Sequence, residues 1–108
     1  MSRKISDEEL QQKAAALNIV FKVKIGAYEE DVPTEDAAIF LKLSDKGVEN
    51  FEKNNITIYT VGSFLDYKSA LNYQIEITEM GIKNPSVIAF ENDEIIPIET
   101  AIEKIKNN

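Results

Sequence analysis

The side chains in this chain that could do chemistry fall mainly into two acidic runs, Glu29-Glu30-Asp31 and the set Glu91, Asp93 and Glu94, with Ser63 apart from both. Paired carboxylates at a suitable separation can share acid and base roles, and a ring of carboxylate oxygens can hold Ca²⁺. Neither run has EF-hand spacing and both are embedded in polar sequence, so the expectation is solvated loop charge. Histidine and cysteine are absent. That removes the commonest general base, the thiolate nucleophile, thiolate zinc ligation and any disulfide framework. Ser63 has no visible activating partner. The sequence therefore predicts no catalytic residue, no metal site and no cofactor.

The aromatic residues pose a different question. IGAY at residues 25–28 returns as VGSF at residues 61–64, so Gly26 and Gly62 stand 36 positions apart in a chain with only four glycines. Tyr28 and Phe64 could be platforms for sugar rings, but their repeated place after a glycine favours core packing. The glycines themselves are read as strand-exit turns: no Cβ allows a sharp bend, the next small residue avoids crowding, and the aromatic drops onto the core.

The elements around the repeat follow from capping signals and periodicity. Ser6 with Glu9 makes a capping box, and Leu10, Ala14 and Leu17 form a thin stripe, predicting a helix over Asp7–Leu17. VFKVKI alternates, with Phe21, Val23 and Ile25 on one side and Lys22 and Lys24 on the other. A short apolar helix is expected near Asp36–Leu43, a second strand in GVENFEK, and a turn at Asn54-Asn55. In the third strand, ITIYTV, Thr57, Tyr59 and Val61 oppose Ile56, Ile58 and Thr60. Asp66 should cap a helix running to Met80, with Ala70, Tyr73, Ile77 and Met80 at helical spacing and Gly81 as its stop. Pro85 leads into a fourth strand, SVIAF, followed by a polar turn, ENDE, and a closing helix.

Composition bounds what such a domain can bind. One modest core fits in 108 residues, and a net charge of −7 disfavours nucleic acid and anionic lipid. An RNA reader of this shape would carry strand aromatics in a basic setting, whereas the third strand offers Ile56, Ile58 and Thr60. No segment approaches the roughly 20 apolar residues of a membrane span, and MSRKISDEELQQ lacks the apolar run of a signal peptide. As written, the chain is expected to be soluble and unexported.

VKIGAY, YTVGSF, the helix beginning DYKSA and the stretch GIKNPSVIAF together resemble the SPOR (sporulation-related repeat) domain, in its Bacteroidetes-type form, over about residues 20 to 98. The resemblance implies an α/β (α+β) sandwich: an RNP-like βαββαβ four-stranded antiparallel sheet with helices on one face. Residues 19–108 would be this domain and residues 1–18 an added N-terminal helical extension. The family's concave sheet face binds peptidoglycan glycan strands stripped of their stem peptides, which implies the periplasm or cell envelope if the chain belongs to an exported protein. The family's polar readers are a Gln in the first strand, a Ser after its glycine, and an Arg with an aromatic in the third strand. These positions fall here on Lys24, Ala27, Ile58 and Ile56.

The candidate glycan- or partner-binding face is therefore Lys22, Lys24, Ala27, Ile56, Ile58 and Thr60. Its aliphatic strip beside lysines also fits a protein contact, so the alternative is docking within a larger assembly of the secretion, motility or phage kind, in the cytoplasm or with that assembly. The N-terminal helix folding back over the strip is the competing structural expectation.

Overall fold

The Ser6 cap forms as the spacing predicts. In the computed structural model, which describes residues 6–107, Ser6 Oγ accepts a hydrogen bond from the Glu9 amide at 3.2 Å and opens α1 (Asp7–Ala16). The chain continues as β1 (Ile19–Tyr28), α2 (Thr34–Lys42), a short 3-10 turn (Ser44–Lys46), β2 (Val48–Lys53), β3 (Ile56–Phe64), α3 (Tyr67–Glu79), β4 (Ser86–Glu91), β5 (Glu94–Ile96) and α4 (Ile98–Asn107). It is an α+β fold with one five-stranded sheet in the order β2-β3-β1-β4-β5, antiparallel at every neighbouring pair.

Two hairpin turns set the outer strands. Asn54 and Asn55 both have positive φ, 53° and 66°, as do Asn92 and Asp93, 51° and 67°. Two consecutive left-handed residues suit the twist of a two-residue hairpin, and Asn and Asp tolerate that conformation better than other side chains. The second hairpin corrects the four-stranded expectation. Only Asn92 and Asp93 turn; Glu91 pairs with Glu94, Phe90 with Ile95 and Ala89 with Ile96, which adds a fifth strand at the β4 edge. Three residues are too few to display an alternating pattern, so β5 reads in sequence as loop.

The glycines also differ from expectation. Gly26 and Gly62 lie inside β1 and β3, not at strand exits, because both strands continue to the aromatic two residues beyond. Each marks an irregularity in the β1–β3 ladder, between Lys24 and Gly26 on β1 and opposite the Phe21–Val23 step on β3. Such bulges bend a strand without ending it.

The core lies on one side of the sheet in two clusters. Ile19, Phe21, Val87 and Ala89 pack with Ala14 of α1, Ala70 of α3, and Ala101 and Ile105 of α4. Val23, Ile25 and Val61 pack with Leu43, Ile77 and Ile82, with Ile39 and Phe40 of α2 against them. Ala14 is fully buried there, and Leu10 and Leu17 flank it. Helix α1 therefore sits on the core side of β1 beside α4, and the expectation that it folds over Ile56 and Ile58 is overturned. The reason is strand alternation: Ile19 and Phe21, which receive α1, point away from the side on which Lys22 and Lys24 stand.

Candidate binding face of the sheet

Side chains directly opposite in an antiparallel ladder share a face. The register pairs Lys24 with Thr60 and Ala27 with Ile58 across β1–β3. Across β2–β3 it pairs Glu49 with Thr60, Phe51 with Ile58 and Lys53 with Ile56. Lys22 stands opposite Ile88 of β4, two residues from Phe90. All six residues expected from sequence thus lie on the side of the sheet away from the helical core. They are not equally accessible: Ala27 is exposed, Lys22, Lys24, Ile56 and Ile58 are half-buried, and Thr60 is only 1% exposed.

Two phenylalanines of this face meet across the sheet. Phe51 of β2 and Phe90 of β4 meet edge-to-face, with ring centroids 5.3 Å apart and planes at 80°. β2 and β4 are separated by β3 and β1, which in a flat sheet would put them roughly 14 Å apart at about 4.8 Å per strand. The rings can touch because the sheet curls into a trough, and Phe90 is only 6% exposed as a result. Lys22 completes the closure. Its Nζ is 3.0 Å from Glu49 Oε1 and 5.3 Å from the Phe90 ring centroid, an ion pair and a cation–π contact from one side chain. At the mouth of the trough, between β2 and the β4–β5 hairpin, a cleft of about 380 Å³ is lined by Phe51, Glu52, Lys53, Asp93, Glu94 and Ile95.

Phe51, Phe90 and Glu49 are not among the six residues expected from sequence. Alternation in VENFEK does place Glu49 and Phe51 on one side and Val48 and Asn50 on the other. Nothing local shows that Phe51 reaches across two intervening strands.

The repeated aromatics belong to the opposite, helix-covered side. A Cβ built on Gly26 would lie 2.5 Å from the Tyr28 hydroxyl, and one on Gly62 would lie 2.8 Å from the Phe64 ring and 2.9 Å from Tyr73. Each glycine is the seat on which the aromatic two residues later rests its ring. Tyr28 packs with Phe40 and Tyr59, at centroid distances of 6.2 and 5.9 Å, and Phe64 with Tyr73 at 5.1 Å. The Tyr28 hydroxyl donates to Asp36 Oδ2 at 2.8 Å. Burial, helped by that bond to a carboxylate, pushes the Tyr28 phenol up to about 12.

The acidic runs are spread out. Glu91 pairs with Lys104 at 2.6 Å, and Glu29, Glu30 and Asp31 are exposed beyond the end of β1. Ser63 is exposed within β3. Among the described residues no group of three or more His, Cys, Asp or Glu side chains could hold a metal ion, and no helix is long and apolar enough to cross a membrane. Comparison of the chain with protein-family models, characterised proteins and solved structures finds no match.

Proposed function

We propose that the chain is a non-catalytic binding module of RNP-like, SPOR-type architecture, and that it docks a protein partner on the trough side of its sheet. The strand order β2-β3-β1-β4, antiparallel throughout, is the order of a βαββαβ sheet of that type with β5 added at one edge, which supports the resemblance.

The contact between Phe51 and Phe90 is the observation that carries docking over sugar recognition. A sugar-reading aromatic needs a ring face open for stacking and planar polar groups beside it. Here the two rings pack on each other, Lys22 is engaged by Glu49, and Thr60 is covered. What the face still offers is half-buried Ile56 and Ile58 with exposed Ala27, flanked by Lys24 and by exposed Lys53. An apolar strip with a charged rim is the anatomy of a protein contact. Glycan binding is the second reading, favoured by the curl of the sheet, since a trough can cradle a linear chain.

Incubation with peptidoglycan sacculi, intact and amidase-treated, separates the two. Docking predicts that the chain stays in the supernatant with both. Retention on the denuded glycan, lost with Lys24→Ala, would replace docking with glycan binding. In parallel, a photoreactive residue at position 58 should give one discrete protein adduct in the native cell. If Ile58→Asp alters no interaction and no adduct forms, the face is simply solvated and docking fails.

A further inference from the structure

On the core side of the sheet, at the far end of β1, lies a cavity of about 310 Å³ between the end of that strand, the start of α2 and the loop after α3. This is near the lower limit, roughly 300 Å³, of pockets that hold small molecules. Ile25, Ile39 and Ile82 supply apolar lining. The charged residues come from different elements: Glu35 and Asp36 from the first turn of α2, and Lys83 from the loop after α3.

These charges do not satisfy one another. None of the three forms an ion pair among the described residues, although all line one cavity. Asp36 is held in place by the Tyr28 hydroxyl on Oδ2, and its Oδ1 has no hydrogen-bond partner among the described residues. A pure cation would leave Lys83 unused, and a pure anion would face two carboxylates for one lysine. A ligand carrying both charges and an apolar group matches the whole lining.

We propose that this cavity binds a small zwitterion of amino-acid or dipeptide size with an apolar side chain, its ammonium on Asp36, its carboxylate on Lys83 and its side chain on Ile25, Ile39 and Ile82. Glu35 adds negative potential at the ammonium end, and the Tyr28 and Phe40 rings lining the cavity favour a cation near them. The cavity lies on the helix side of the sheet, where Ile25 and Tyr28 face, and borders the trough face only at Ala27 near the end of β1.

Titration calorimetry of the full chain with leucine and with the dipeptide Leu-Leu tests this, using N-acetyl-Leu-Leu and Leu-Leu amide as charge-blocked controls. At least one zwitterion should bind at millimolar concentration or below, and each blocked peptide should bind at least about tenfold more weakly than Leu-Leu. Lys83 is exposed, so Lys83→Met should keep the fold while lowering affinity for Leu-Leu to that of the amide and leaving the amide's affinity unchanged. Asp36→Asn should weaken both zwitterions. No binding of either zwitterion at millimolar concentration overturns the proposal, as does equal binding of the blocked peptides.

Discussion

Gly26 and Gly62 clear space for aromatic rings from two different backbones. Gly62 has φ +78°, in the left-handed region, whereas Gly26 does not. Replacing Gly26 with Ala brings a Cβ against the Tyr28 ring alone; replacing Gly62 adds backbone strain to contact with both Phe64 and Tyr73. Each substitution should cost about 1–3 kcal/mol, with Gly62 the larger. Urea denaturation of double variants separates the causes: Tyr28→Leu should relieve most of the cost of Gly26→Ala, while Phe64→Leu should relieve only part of that of Gly62→Ala. The pairing of glycine with aromatic was legible as a repeat. Its purpose was not, because a seat for a ring and a strand-exit bend call for the same residue. Tyr28 carries a second prediction. Its phenol is raised to about 12 in the folded state from 10.0, so the unfolded chain loses this proton first. The contribution is fully present below pH 10 and is lost as pH rises through about 12. Tyr73, raised by burial first and nearby acids second, acts in the same direction. Tyr28→Phe should flatten the fall in stability across that window, measured by denaturation at a series of alkaline pH values.

Asp66 joins two elements as well as capping one. Its Oδ1 accepts from the Ser69 amide at 2.7 Å, and its Oδ2 accepts from Ser69 Oγ at 3.0 Å and from Gln11 Nε2 of α1 at 2.8 Å. Asp66→Ala should destabilise the fold by about 1–2 kcal/mol, and hydrogen exchange should quicken in the first turn of α3 and in α1 together. Faster exchange in α3 alone would mean that the Gln11 bond contributes nothing to holding α1. The cap was legible because its acceptor lies three residues from its donor. The bond to Gln11 spans 55 residues and has no local signature.

For the molecule as a whole, the trough and the N-terminal helix are on opposite sides of the sheet and should respond independently. Deleting residues 1–18 removes Ala14 from a closed cluster and should lower stability by about 2–4 kcal/mol, yet leave the labelling rate of a cysteine at position 58 unchanged. A jump in that rate would return α1 to the trough side. Phe51→Ala should act on the other side, unfastening β2 from β4 at a cost of about 1–3 kcal/mol. Amide exchange should then rise in β2 while β1 and β3, in the interior of the sheet, stay protected.

Local pattern and chemistry determined the helices, four of the five strands, the Asn54-Asn55 hairpin, the Asp66 cap and the residues that share each strand face. These are short-range consequences of capping hydrogen bonds, left-handed turn residues and side-chain alternation, all complete within a few positions of the chain. The tertiary structure decided which side of the sheet received α1, how far the sheet curled, and that Phe51 would close on Phe90. It also brought Glu35, Asp36 and Lys83 to one cavity. Each of these depends on contacts between residues tens of positions apart, and the energies that select them arise only when the elements pack. A half-buried isoleucine strip has the same sequence whether it is covered by a helix, filled by a neighbouring ring or left for a partner.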